Sequence, residues 1–221
     1  MDNSLVAFWK MEETEEQLRA MCDLTDEDNC RIGRCSAPKR RIELLSVRAL
    51  LKAVGIHQTI HYNDRKPYLD NGYISISHSA NMAAIIYNPD FSVGIDIEVV
   101  APRIRRIASR AFSDVELVIA DDDIEKLTIL WNCKECVFKL ANDEGIDFRE
   151  MIEVDMPLSE HLPEFSSMNL SKGSQEGRSA QIECTLTKSG FSKRFSLSAI
   201  KIEDNTVVWG SLDGCAGGTG N

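Results

Sequence analysis

Val93-Gly94-Ile95-Asp96-Ile97-Glu98 is the stretch on which the fold turns. Apolar and acidic residues alternate, which is the period of a β-strand. Ile95 and Ile97 point to one face and can be buried. Asp96 and Glu98 point to the other, roughly 6 to 7 Å apart along the backbone. Two carboxylates so spaced can share a hard divalent cation. A solvent-facing strand with neighbouring acids is the plainer alternative, and the hexapeptide alone leaves both open.

Working back toward the N-terminus, Asn88-Pro89-Asp90 is a turn and Met82 to Tyr87 an apolar strand. Tyr73 to Ser77 alternates, with Ile74 and Ile76 on one face and Tyr73, Ser75 and Ser77 on the other. Asp64 to Pro67 and Asp70-Asn71-Gly72 read as turns. A helix runs from Lys39 to about Val54, opened by Ser36-Ala37-Pro38 and closed by Gly55. An acidic helix is expected from about Glu13 to Cys22, after a short strand over Leu5 to Trp9.

Working forward, Ile104 to Ala111 reads as helical. Ser113 with Glu116 three residues on makes a capping box, and Ile124 to Ala141 is a long helix. Strands follow at Gln181 to Thr187, Arg194 to Ile200 and Thr206 to Trp209, after a polar loop over residues 166–178. The order, helix with strands twice over, predicts an α+β fold. It consists of two similar α+β halves, a pseudo-dimer, each a small antiparallel sheet packed with helices. The boundaries are residues 1–92 for the first half and 93–209 for the second. A flexible Gly-rich tail is expected over 210–221.

The chain of 221 residues carries a formal charge of −10. That balance makes it a poor general binder of nucleic acid or anionic membrane. Neither a membrane-length apolar run nor a secretory signal is visible, so a cytoplasmic protein is expected. Positive charge is nevertheless concentrated at Arg31, Arg34, Lys39, Arg40, Arg41, Arg48 and Lys52, and again at Arg103, Arg105, Arg106 and Arg110. Such clusters suit a specific anionic ligand, and a solvated helix face is the alternative. The cysteines are odd in number, in keeping with a reduced chain. Cys133-x-x-Cys136 lacks the further ligands of a zinc site. His57-x-x-x-His61 lacks the Glu of a metalloprotease helix and sits in strand-like surroundings.

Two further constellations carry chemistry. In Trp131-Asn132-Cys133-Lys134-Glu135-Cys136-Val137-Phe138-Lys139, helical spacing brings Trp131, Glu135 and Lys139 within about 80° of one another. An acid and a base then share one face, and an ordinary Glu–Lys pair remains the alternative. In Ser75-Ile76-Ser77-His78-Ser79, hydroxyls, an imidazole and backbone N–H groups gather at a strand end and can collect phosphate oxygens. The serine-hydrolase elbow is absent.

Taken together, these motifs resemble the 4'-phosphopantetheinyl transferases. The carriers of the resemblance are Arg65-Lys66-Pro67, Ile76-Ser77-His78-Ser79, Val93 to Glu98, Phe112-Ser113-x-x-Glu116 and Trp131-x-x-Lys134-Glu135-x-x-x-Lys139. The resemblance is closer to the larger, two-half type, the surfactin-synthetase-activating kind. It implies transfer of 4'-phosphopantetheine from coenzyme A to a serine hydroxyl of an apo acyl or peptidyl carrier protein, with 3',5'-ADP leaving. It implies Mg²⁺, with Mn²⁺ as a substitute, held by Asp96, Glu98 and Glu135. Glu135 would be the base, directly or through water, with Glu116 as its rival. Lys139, Ser77 and His78 would meet coenzyme phosphates, and Lys66 the adenine or phosphate end. Arg31, Lys39 and Arg40 would face the 3'-phosphate. A monomer is expected. A carrier-binding module without activity and a Mg²⁺-dependent phosphohydrolase are the alternative functions. Two departures from the family pattern stand out: Arg65 replaces a glycine and Ser75 an asparagine.

Overall fold

The computed structural model describes residues 3–156, 162–163 and 179–212. The loop expected over 166–178 lies outside them, as does the tail from 213 onward. Three strands, β1 (Leu5–Lys10), β5 (Met82–Asn88) and β4 (Tyr73–His78), form an antiparallel sheet in the order β1-β5-β4. Helix α3 (Pro38–Ala53) packs on it through Val47, Leu50 and Leu51. Outside α3 lie α1 (Glu15–Met21) and α2 (Asp26–Gly33), joined to it by Leu18, Ile32, Leu44 and Leu45. A small hairpin of β2 (His61–Asn63) and β3 (Lys66–Tyr68) projects from this half.

The second half holds a larger antiparallel sheet. Its order is β6 (Val93–Val99), β10 (Asn205–Ser211), β9 (Phe191–Ile202), β8 (Ala180–Lys188) and β7 (Ile152–Asp155). Helix α6 (Ile124–Ala141) lies across it, burying Leu127, Leu130, Cys133, Val137 and Leu140 against the sheet. Helices α4 (Arg105–Ala111), α5 (Asp114–Ala120) and α7 (Phe148–Met151) surround α6. The described residues therefore form the mixed α+β arrangement the sequence implies. The halves differ in size of sheet, because β7 and the long β8–β9 hairpin extend the second.

Most expected elements appear within two residues of their expected ends. Helix α2 was not anticipated. Its apolar pattern is slight, but Thr25 and Asp28 form a capping box at its start. Strand β7 was also not anticipated, since four residues carry little periodicity. One boundary is corrected: the tail does not begin after Trp209. Gly210 and Ser211 belong to β10, paired with Gly94 and Val93.

The halves meet along β4 and β6. These strands are not joined by a backbone ladder. The amides of Ile95 and Ile97 donate instead to the side-chain hydroxyls of Ser75 (3.2 Å) and Ser77 (3.3 Å). The contacts advance the same way along both strands, so the two run parallel. Ser75, a departure from the family pattern, thus serves as a strand-joining residue. Ile95 and Ile97 are fully buried with Met82, Ala84 and Ile86 of β5, each burial contributing about 1.5–3 kcal/mol.

Gly94 and Gly210 lie directly opposite each other in the β6–β10 pair. Together they leave a notch into which α6 settles. A Cβ on Gly94 would come within 2.6 Å of the Cys136 carbonyl oxygen and 2.9 Å of Leu140 Cγ. Gly94→Ala is therefore expected to force α6 outward and cost about 1–3 kcal/mol. Thermal unfolding of the variant beside the parent checks this, and an unchanged midpoint would show that the helix does not bear on β6 there.

Candidate active site

Asp96 is the centre of the site. The sequence reading opposed an acid-bearing face to a buried one; the structure buries both, and Asp96 is only 5% exposed. Its Oδ1 accepts hydrogen bonds from Ser77 Oγ and from Lys139 Nζ, each at 2.8 Å. Lys139 also donates to the Ile95 carbonyl at 2.7 Å. Burial lowers the Lys139 proton affinity, but the Asp96 charge and hydrogen bond outweigh it and leave the pKa raised. The other oxygen, Asp96 Oδ2, is buried without a hydrogen-bond partner among the described residues. A buried carboxylate oxygen with no donor is costly.

Glu135 lies one turn before Lys139 on α6 and makes no hydrogen bond or ion pair among the described residues. Burial, then the charges of Asp96 and Glu98, push its pKa up to about 7 against the pull of Lys139. Glu98 is likewise raised, by burial and by Asp96. It is held by Arg103 Nη2 at 2.8 Å from its Oε2. The three carboxylates feel one another's charge, but they do not form a preassembled cage. Among the described residues no group of three or more acidic, His or Cys side chains stands at metal-holding distance. The residues present still fit a divalent cation: an unpartnered Asp96 oxygen, a carboxyl at Glu135 that resists ionisation, and all-oxygen donors of the kind Mg²⁺ takes.

Apart from Lys139, the residues expected to meet phosphate lie in the first half. His78 ends β4, and its Nε2 is buried without a hydrogen-bond partner among the described residues. Burial carries its pKa down to about 4, with Glu43 opposing and Arg40, Lys139 and Lys39 reinforcing. The imidazole is thus neutral near pH 7 and lies in the field of the cations expected to meet phosphate. Lys39 and Arg40 sit in the first turn of α3, whose N-terminus begins at Pro38 with no side-chain cap. Pro38 has no N–H and the Arg40 and Arg41 amides donate to the Ala37 carbonyl, so the attraction of that turn for an anion rests on the side chains of Lys39 and of Arg40, the latter paired with Glu43 at 2.8 Å. Arg31 stacks over the Tyr62 ring at 3.3 Å and lines a recess of about 470 Å³ with Arg34, Arg40 and Leu44. Lys66 is on the projecting hairpin, its pKa lowered by burial.

Two of the expected site residues have protein partners in the structure. Ser77 was expected on a coenzyme phosphate, but its proton goes to Asp96 and its oxygen receives the Ile97 amide. It positions the acid. Glu116 was the rival base, but it is 2% exposed and fully engaged. One oxygen takes the Ser113 amide and Lys134 Nζ (2.9 Å), the other the Val154 amide. Lys134 is itself buried and donates to the Phe148 and Ile152 carbonyls. This pair ties α5, α6 and β7 together. Cys133 and Cys136 are fully buried, which pushes both thiols well above their usual range and leaves them inert. Sequence reasoning missed the Ser75/Ser77 junction and the Arg103 partner of Glu98. The paired small residues Ser75-x-Ser77 on a strand face were the available signal for the first.

The sequence model of the 4'-phosphopantetheinyl transferase superfamily matches residues 92–184, from just before β6 into β8. That match supports phosphopantetheinyl transfer at a coarse level. No curated protein matches the chain.

The two acids of α5 and α6 can be told apart by measurement. Glu116→Ala leaves Lys134 buried without its carboxylate, at a cost of about 3–5 kcal/mol. Denaturant unfolding should show that loss, while activity per folded molecule falls little; a stable but inactive variant would return Glu116 to the chemistry. Glu135 behaves oppositely. Its pKa is about 7 in the fold and near the ordinary 4.5 in the unfolded chain. The folded protein holds the extra proton between those values, so stability falls as pH rises from about 4.5 through about 7. Glu135→Gln should therefore stabilise the metal-free protein by about 1–3 kcal/mol at about pH 8 and by much less at about pH 4. Unfolding curves in EDTA at both pH values check it.

Proposed function

We propose that the protein transfers 4'-phosphopantetheine from coenzyme A to the serine hydroxyl of an apo acyl or peptidyl carrier protein, with Mg²⁺ required and 3',5'-ADP released. The observation that carries this reading is the orphaned Asp96 Oδ2, held rigidly by Ser77 and Lys139 beside the unpaired Glu135. The superfamily match over residues 92–184 supports the same chemistry.

Phosphoryl transfer asks a protein mainly to position groups and to neutralise charge. Lys139 spends two of its ammonium protons on Ile95 and Asp96, and the third is free to meet a phosphate oxygen. His78 is neutral, so its Nε2 can donate to a phosphate oxygen in the N–H tautomer. Lys39 and Arg40 supply positive charge at the α3 N-terminus for the 3'-phosphate, with Arg31 beside them in the recess. Glu135 is the base this reading assigns to the proton of the attacking serine, directly or through one water. Mg²⁺ would be held by Asp96 through Oδ2, by Glu98 and by Glu135, and when bound supplies neutralisation of the pyrophosphate and of charge on the leaving group. The freed proton stays on Glu135 until it is lost to solvent.

The chain reads as the larger, two-half type, with residues 1–92 supplying the phosphate contacts and the second half the acids. Its boundary between β5 and β6 separates α3 on one sheet from α6 on the other. A monomer in the cytoplasm is the setting this reading expects.

Intact-mass analysis of a panel of apo carriers, incubated with the protein, coenzyme A and Mg²⁺, tests the activity. A mass gain of one phosphopantetheine is expected, and release of the group to water instead would indicate a phosphohydrolase. Asp96 is buried and ion-paired, so Asp96→Asn is a cleaner variant than Asp96→Ala, which would strand Lys139. Asp96→Asn should remain folded and lose transfer by a factor on the order of 10²–10³. Full turnover of the parent in excess EDTA, or of Asp96→Asn with Mg²⁺, would sink the reading.

A further inference from the structure

We propose that Arg103 competes with the divalent cation for Glu98, so that metal loading exchanges the guanidinium for the cation and releases it toward the incoming anionic substrate. The inference rests on the metal assignment above.

The two strand acids are held very differently. Asp96 keeps its internal cation, Lys139, on Oδ1 and leaves Oδ2 without a partner. It can accept a metal without breaking any contact. Glu98 is bonded to Arg103 through Oε2 at 2.8 Å. The acids do not form a ready cluster among the described residues, so Glu98 has to re-aim its carboxylate to join Asp96 and Glu135. Arg103 sits in a short 3-10 turn just past β6, where the chain leaves the sheet. Its side chain is 59% exposed and that of Glu98 30%, so the pair can open without disturbing the core. Both line a groove with Arg106, Thr128 and Trp131. A guanidinium released there remains at the edge of the site, and its planar donors suit a phosphate oxygen.

The alternative role is orientation: Arg103 could hold Glu98 for the metal through its remaining oxygen. The two roles predict opposite signs. In exchange, Arg103 opposes binding of metal alone and aids binding of the anion that follows. In orientation, it aids both.

The test titrates the full chain with Mn²⁺, following free Mn²⁺ by electron paramagnetic resonance, for the parent, Arg103→Ala, Arg103→Lys and Arg106→Ala. An exposed ion pair is a weak competitor, so Arg103→Ala should bind Mn²⁺ about two- to fivefold more tightly without coenzyme. Arg103→Lys should stay near the parent. Arg106→Ala removes the same charge without the contact and should shift less than Arg103→Ala. With saturating Mn²⁺, calorimetry should show coenzyme A binding to Arg103→Ala more weakly than to the parent by a similar factor. Weaker Mn²⁺ binding by Arg103→Ala would establish orientation and overturn exchange, and an unchanged affinity would overturn it too. Equal tightening in Arg106→Ala would mean only that net charge matters, and coenzyme affinity unaffected by Arg103→Ala would remove the release step. If the parent itself binds no Mn²⁺, the metal assignment falls and this inference with it. If the parent binds and Arg103→Ala does not tighten, this inference alone falls.

Discussion

The contact among Lys139, Asp96 and Ser77 brings three elements together at one point: α6, β6 and β4. A carboxylate this buried needs a cation and donors close by, since an unpaired buried charge costs several kcal/mol. The cation can arrive only if α6 lies low on the sheet. Gly94 and Gly210, facing each other across β6 and β10, make that approach possible. The donor can arrive only if β4 lies alongside β6. The hydroxyls of Ser75 and Ser77 achieve this by receiving amides of β6 where a strand neighbour would have offered carbonyls. Helix packing, the junction of halves and the site thus converge on one carboxylate.

Charge at the site is arranged in opposition. On the second half, Asp96, Glu98 and Glu135 crowd three carboxylates against Lys139 and Arg103, leaving an excess of acid. Glu135 absorbs that excess by resisting ionisation until about pH 7. On the first half, Lys39 and Arg40 gather near a histidine kept neutral, with a pKa carried down to about 4. A divalent cation relieves the first crowding, and an anion the second. A ligand bearing phosphates together with a divalent metal satisfies both at once, whereas either alone leaves one side uncompensated. Under the proposed reading, this arrangement of charge favours a metal-bound polyphosphate over either component alone.

The backbone was largely legible because the informative segments are long and strongly periodic. Helix α6 runs from Ile124 to Ala141, as its apolar stripe implies, and β6 spans Val93 to Val99, as its alternation implies. The short or weakly amphipathic pieces, α2, α7 and β7, carry too few turns for a period to show. Chemical assignments fared less evenly, for a physical reason. Spacing along one element fixes which side chains share a face, so Asp96 with Glu98 and Glu135 with Lys139 were legible. Which partner satisfies an acid depends on packing between elements. Glu116 and Glu135 look alike in sequence, yet the first is neutralised by Lys134 and the second has no cation bonded to it among the described residues. Ser77 likewise looked like a phosphate ligand until β6 was seen lying against it.

The same junction constrains how the halves can move. Between two sheets joined by a backbone ladder, sliding would break many hydrogen bonds at once. Here β4 is joined to β6 through two side-chain hydroxyls, while Ile95 and Ile97 pack against β5 of the same sheet. Ser77 sits in both systems: it receives the Ile97 amide and gives its proton to Asp96. Any displacement of β4 along β6 must therefore either break the Ser77–Asp96 bond or carry the Asp96 carboxylate with it. Lys139 resists the second outcome, because it is anchored to the Ile95 carbonyl as well as to Asp96. The two halves are thereby held in register by the Ser77–Asp96 bond in addition to the burial of Ile95 and Ile97 against β5.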